Sequence, residues 1–172
     1  MDVAQSVETL ERRTPLFSDR VLACLKEPGA SDESGLMLDE EGLRGVPSGQ
    51  LYPLVDGAVP SLFVPEAGSG KQVTSAVKEF YEENPFPSYE GLEEFGQLVN
   101  KGSKNPFSDS LLKAIGYNRT ILECGCGTGQ LSHYLQLNNN HVLGIDMSVA
   151  SLKLAIQHKM HNSLARSSFA QM

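Results

Sequence analysis

An α/β fold built on a parallel sheet is the fold class predicted for this chain, and three observations predict it. Two short apolar runs, residues 120–122 and 141–145, each lead into an acid, Glu123 and Asp146. Three glycines, Gly125, Gly127 and Gly129, stand at alternate positions just after the first acid. A helical pattern with Leu131, Tyr134 and Leu135 on one side separates the two runs. Strand, glycine turn, helix, strand, acid is the plan of a nucleotide-binding βαβ unit.

The bulk composition bounds the rest. The 172 residues suffice for one ordinary domain, or for a small one plus part of another. A net charge of -7 argues against a nucleic-acid surface within the chain, because phosphate contacts need clustered Lys and Arg. No uninterrupted apolar run approaches the roughly 20 residues that span a bilayer, so no membrane partner is expected. Residues 1–13 lack a basic stretch followed by an apolar core, so no secretory signal is visible. Three cysteines do not make a disulfide framework, and a cytoplasmic location is the simplest expectation.

In chain order, residues 1–19 read as a frayed leader or short surface helix. Residues 20–65 read as a small β-rich module. It holds an apolar run at 21–25, a turn-rich acidic stretch at 28–34, a short run at 36–38 and a loop at 45–49. Asp56-Gly57 lies between two further runs and is a strong hairpin signal, since both turn residues take positive φ. The prolines in these runs predict edge strands. Residues 66–106 read as linker and helical connector. Residues 66–70 are the linker, and 71–83 are helical on the spacing of Val73, Val77 and Phe80. Asn84-Pro85 stops that helix. The aromatic segment 80–89 has two readings: Phe80 and Phe86 pack on the neighbouring domain, or Tyr81 or Tyr89 covers a ligand pocket. Residues 91–104 form the next helix. Asn105-Pro106 breaks it, and Ser108 caps a helix over 109–115 that stops at Gly116.

Residues 107–172 carry the predicted sheet. Closely spaced backbone cannot carry Cβ atoms where a ligand approaches, which gives the glycine turn its purpose. The helix over 128–137 starts there and offers free N–H groups. Asp146, about 20 residues on, sits where an acid accepts both ribose hydroxyls and repels a 2′-phosphate. A second helix carries Val149, Leu152, Ile156 and Met160 as a core stripe, and residues 167–172 read as a third strand. Cys124 and Cys126 read as small loop fillers rather than reactive thiols. His133, His141, His158 and His161 share no spacing that suggests a metal or a triad, and His158, Lys159 and His161 read as a solvated face.

Glycine spacing separates two ligand classes. In the dinucleotide pattern G-x-G-x-x-G the third glycine would fall on Gln130 or on Ser132, and neither fits. The pattern present, E-x-G-x-G-x-G from Glu123 to Gly129, resembles the first motif of class I S-adenosylmethionine-dependent methyltransferases. The run Leu143-Gly144-Ile145-Asp146-Met147-Ser148 is similar to the family's second strand. The resemblance implies S-adenosyl-L-methionine as cofactor. It places Glu123 near the methionine amino group, Gly125, Gly127, Thr128 and Gly129 under the cofactor, Asp146 on the ribose and Met147 on the adenine. It names no catalytic base. The module at 20–65 resembles the zinc-ribbon-like domain ahead of some bacterial methyltransferases. That rests on Leu22, Ala23 and Cys24 at its start and on the run from Tyr52 to Pro60 at its end. The family's two Cys-x-x-Cys pairs would fall on Cys24 and Glu27 and on Gly45 and Ser48, so one thiol remains and no metal is expected.

The family's sheet has seven strands, with the cofactor at the switch point between the first and the fourth, and this sequence supplies three. The expectation is a methyltransferase that is truncated here, or completed by another chain that covers the free edge, with an unidentified methyl acceptor. The other readings are an NAD-dependent oxidoreductase fragment and a non-catalytic cofactor-binding or regulatory protein.

Overall fold

The Asp56-Gly57 turn closes as its residues predict, with φ of 51° and 68°. The runs on either side pair antiparallel as β3 (Leu51–Val55) and β4 (Val59–Pro60). The computed structural model describes residues 14–27, 29, 34–62 and 80–172. The linker at 66–70 and most of the helix at 71–83 therefore lie outside the described residues, as do residues 1–13 and most of the acidic stretch at 28–34. Ahead of β3 come β1 (Gly35–Leu38) and β2 (Gly42–Val46), giving a four-stranded antiparallel sheet in sequence order.

Three details differ from expectation. The run at 21–25 begins in a short helix, α1 (Asp19–Leu22), because the Ser18 hydroxyl accepts from the Val21 N–H at 3.3 Å. The end of the expected leader is packed: Phe17 is buried with Val21 among Leu36, Leu43 and Tyr52. Pro53 lies in an inner strand rather than at an edge. Its ring occupies the β4 side, where its carbonyl accepts from Ser61 and β4 is only two residues long. A missing N–H costs little there.

Glu27, Gly45 and Ser48 meet at one corner of this sheet. The Ser48 hydroxyl donates to Glu27 Oε1 at 2.5 Å. A Cβ on Gly45 would lie 2.5 Å from that same oxygen. Cys24 is exposed. A carboxylate–hydroxyl pair thus fills this corner, and among the described residues no group of three metal-ligating side chains gathers anywhere.

The second sheet is parallel, in the order β5 (Thr120–Cys124), β6 (His141–Asp146), β7 (Ser167–Gln171). Strand alternation gives it two faces. Val142, Gly144 and Phe169 face the helices, while Leu143, Ile145 and Ala170 face the first sheet. The module at 20–65 is therefore not a separate body. Phe17, Val21, Leu36, Leu43 and Tyr52 share a core with Leu143 and Ala170. Each such side chain contributes roughly 1.5–3 kcal/mol on burial. Ser61 and Leu62 extend the sheet beyond β7, with Leu62 N donating to Gln171 O at 2.8 Å. The module stops short of β5, so Leu122 is 59% exposed and the outer edge of β5 is unpaired within the described residues.

Four helices complete the other face. Residues 80–83 are helical and end at Asn84, as expected. The next helix, α2 (Phe95–Lys104), starts later than its pattern suggests, because Phe95 N donates to Asn162 Oδ1 at 2.8 Å. The helix α3 (Pro106–Ile115) is capped by Asn105, not by Ser108. Asn105 Oδ1 accepts from Phe107 N and Ser108 N. Asn-Pro here is a cap followed by proline at the first helical position, where the absent N–H is harmless. The helices α4 (Gln130–Leu135) and α5 (Val149–His161) pack on the sheet through Tyr134, Leu135, Leu152, Ala155 and Ile156.

The expected solvated face of α5 is wrong for two of its three residues. His161 is exposed, but His158 is buried against Tyr89 and Leu92, and Lys159 is buried with its ammonium on Ser167. His133 and His158 lie 4.9 Å apart, their rings tilted by 37°, between Tyr89 and Phe169. The His133 Nε2 partner is the Ala155 carbonyl at 3.1 Å, which only accepts. So Nε2 carries the proton, and Nδ1 accepts from the Ser167 hydroxyl at 3.0 Å. Burial pushes His133 down to about 3 and lowers His158 as well. Lys159 is fully buried, and its ammonium donates to the Ser167 carbonyl on the outer edge of β7. Burial brings it down to about 7.

These groups set a pH dependence. Each has a folded value below its unfolded one, so the folded state holds fewer protons and stability rises with pH across the gap. For the two histidines, stability is lost as pH falls below 6.5, and for His133 the loss continues towards 3. For Lys159 it is lost as pH falls from 10.5 to about 7. Lys159→Met should therefore stabilise the chain by a few kcal/mol (~2–4) at pH 7, the gap closing towards pH 10.5. Urea unfolding at pH 7 and pH 10 measures it, and a variant less stable than wild type at pH 7 would contradict it.

Candidate functional site

The turn after β5 is fixed to β6 before any ligand is considered. Gly125 N and Cys126 N both donate to Ile145 O, at 2.8 and 3.0 Å. Gly127 N donates to Asp146 Oδ2 at 2.8 Å, and Ser148 N donates to Asp146 Oδ1 at 2.9 Å. The strand-end acid and the glycine turn are thus one hydrogen-bonded unit. Each carboxylate oxygen keeps a further lone pair for an incoming hydroxyl.

The three glycines serve three different purposes. A Cβ on Gly125 would meet nothing within 4 Å, so this position borders open space. A Cβ on Gly127 would lie 2.5 Å from the Phe86 carbonyl. Gly129 sits at φ 78°, and its Cβ would strike the Phe169 ring at 2.6 Å and Ala155 at 2.9 Å. Only the first matches the expectation of a floor kept clear for a ligand. The second clears a crossing segment, and the third lets α4 close on the sheet.

A cavity of about 530 Å³ opens above the turn. Gly125, Gly127, Asp146 and Met147 line it together with Tyr81, Phe86 and Pro87. Its size falls within the range of ligand-binding clefts. A second cavity of about 270 Å³ adjoins it through Pro87 and Cys126. Glu123, Lys101, Gln130 and Tyr134 line this one. The Ser132 hydroxyl donates to Glu123 Oε2, and Lys101 Nζ donates to Gln130 Oε1 at 3.0 Å. Burial raises the Glu123 carboxyl above its ordinary range. The Ser132 bond holds it partly down, and the Asp146 charge raises it further.

Of the residues singled out in the sequence, Gly125, Gly127, Asp146, Met147 and Tyr81 meet at the larger cavity, and Glu123 at the smaller. Thr128 and Gly129 are not at either wall. The Thr128 side chain is buried and donates to the Pro87 carbonyl at 2.6 Å. Tyr89 packs rather than covers: its hydroxyl donates to Thr128 O at 2.7 Å and its ring stacks on His158 at 4.3 Å. Burial pushes its phenol far up. Phe80 and Phe86 are 60% and 72% exposed, so neither packs on the sheet domain as one reading expected. Cys126 is buried with its thiol pushed up by burial, in keeping with a filler role. Lys101, Glu82 and Met172 were missed. Lys101 comes from α2 and carries no local spacing to Glu123; only the fold brings them to one cavity.

Residues 115–172 match a family model described as a methyltransferase domain. The matched residues are the parallel sheet, α4 and α5, with the glycine turn at their centre. The match supports S-adenosyl-L-methionine as the cofactor. No curated protein matches the chain. Among similar solved structures is a TehB-like SAM-dependent methyltransferase from Corynebacterium glutamicum. It is 21% identical, with 57% of this chain and 46% of that chain covered at a TM-score of 0.35. CalS10, an amino pentose methyltransferase from Micromonospora echinaspora solved with SAM bound, is 17% identical, covering 63% and 37% at 0.26. The cyclase SpnF is 18% identical, covering 63% and 44% at 0.41. The chain spans less than half the length of each of these structures. Among the described residues no helix is long and apolar enough to cross a membrane.

Proposed function

We propose that the chain binds S-adenosyl-L-methionine and contributes the cofactor-holding part of a methyltransferase. The observation that carries this reading is the bond from Gly127 N to Asp146 Oδ2, which fastens the ribose-type acid to a glycine turn of the spacing Glu123 to Gly129. Asp146 accepts the ribose hydroxyls, Met147 lies against the adenine, and Gly125 leaves room for the sugar. The amino-acid end extends into the smaller cavity. There Glu123 receives the ammonium, and Lys101, which lines the same cavity, receives the carboxylate. When bound, the cofactor supplies a sulfonium methyl for transfer to an acceptor nucleophile. This chain's own contribution is position and orientation, which in bimolecular reactions is a large share of the barrier. No side chain at either cavity is assigned as a base, and the acceptor is unassigned.

The test is ultraviolet cross-linking of methyl-labelled S-adenosylmethionine to the 172-residue chain. Labelling should occur, be competed by S-adenosylhomocysteine and be indifferent to excess NAD. Labelling competed by NAD and not by S-adenosylhomocysteine would overturn the reading in favour of a dinucleotide site.

A further inference from the structure

Segment 80–89 borders the larger cavity and is fastened at two places. At the glycine turn the Thr128 hydroxyl donates to Pro87 O at 2.6 Å, Gln130 Nε2 to Ser88 O at 2.7 Å, and the Tyr89 hydroxyl to Thr128 O at 2.7 Å. At the second place, just past Asp146 and Met147, Glu82 spends both carboxylate oxygens on the first turn of α5. Val149 N donates to Oε1 at 2.7 Å and Ala150 N to Oε2 at 2.9 Å. The Ser148 hydroxyl adds a bond to Tyr81 O at 3.1 Å. From this segment Tyr81, Phe86 and Pro87 line the cavity, together with Asp146 and Met147.

The two anchors differ in kind. The Tyr89 end is built into the core, with its ring stacked on buried His158. The Glu82 end is half-buried and depends on one side chain reaching a helix start that is already capped. Ser148 Oγ accepts from Ser151 N at 3.1 Å, so α5 keeps its cap without Glu82. Glu82 pairs two further N–H groups of the helix start, Val149 N and Ala150 N, which water could also satisfy. It fixes the strap, and with it Tyr81, next to the acid that faces the ribose.

We propose that Glu82 is a positioning residue that latches segment 80–89 to the start of α5, and that release of this latch is the step through which cofactor enters and leaves. The inference rests on the reading of the cavity as an S-adenosylmethionine site. Tyr81, 46% exposed, is the side chain carried over the ligand by the latch. Lids fastened at one firm and one labile end open at the labile end, and such motions commonly set ligand exchange.

The experiment is surface plasmon resonance with the immobilised chain and S-adenosylhomocysteine, on wild type, Glu82→Ala, Glu82→Gln and, as a charge control, Glu83→Gln. Dissociation should quicken at least roughly tenfold in Glu82→Ala, which removes two charge-assisted hydrogen bonds. Glu82→Gln, which keeps one acceptor, should recover part of this, and Glu83→Gln should match wild type. Thermal melting of Glu82→Ala should fall by only a few degrees, because Val149 N and Ala150 N lose their partner while Ser148 still caps Ser151 N. Unchanged dissociation in Glu82→Ala, with wild type binding, overturns the latch alone. A melting loss without faster dissociation assigns Glu82 to stability and also overturns it. Absence of binding by wild type overturns the cofactor reading and the latch with it.

Discussion

Gly129→Ala is expected to lower the melting midpoint by about 6–12 °C, by differential scanning calorimetry. Two costs add at this position. The residue sits at φ 78°, which side chains other than glycine adopt at roughly 1–2 kcal/mol. The new Cβ would also lie 2.6 Å from the Phe169 ring and 2.9 Å from Ala155, and overpacking of this kind costs about 1–3 kcal/mol. Phe169 is fully buried against His133 and cannot yield. A total near 3 kcal/mol converts to the stated shift for a chain of this size. The same change at Gly125 would add no contact, which makes it the control. Equal losses at both positions would show that φ alone matters and that α4 does not depend on the close approach.

Asp146→Asn is expected to weaken S-adenosylhomocysteine binding about 10- to 100-fold and to destabilise the chain by about 1–3 kcal/mol. Asp146 accepts from Gly127 N and from Ser148 N with different oxygens. An asparagine has one oxygen, so its amide nitrogen must face one of these N–H donors, and a buried donor is left unpaired. The glycine turn loses its link to β6 at the same point where the ribose would be held. Calorimetric titration and urea unfolding of one preparation separate the two effects. Wild-type affinity in a destabilised variant would show that Asp146 serves the turn and not the ligand.

Much of this was legible in the sequence because local chemistry decided it. The Asp56-Gly57 hairpin, the strand–turn–helix order and the Val149-Leu152-Ile156 stripe follow from φ preferences and period alone. What escaped depends on long-range partners. Ser108 looked like a cap because Asn105 precedes a proline, yet both local patterns were available and the structure took the earlier one. His158 looked solvated because it sits among charged neighbours; Tyr89 and Leu92, which cover it, lie far away in sequence. Tyr89 and Phe86 exchanged their expected roles for the same reason. The meeting of Lys101 and Glu123 at one cavity has no sequence signature, since one lies on α2 and the other on β5.

The unpaired edge of β5 bears on the site as well. Glu123 and Cys124 end that strand, so whatever lies beside it borders both cavities. Leu122, exposed on the face that the four-stranded sheet leaves uncovered, marks where the sheet's covering stops.

Isothermal titration of the chain with S-adenosylhomocysteine and with NAD decides whether the turn from Glu123 to Gly129, fastened to Asp146, holds S-adenosylmethionine. Saturable binding of one S-adenosylhomocysteine per chain is expected, with no heat from NAD; binding of NAD, or of neither ligand, would refute that role for the turn.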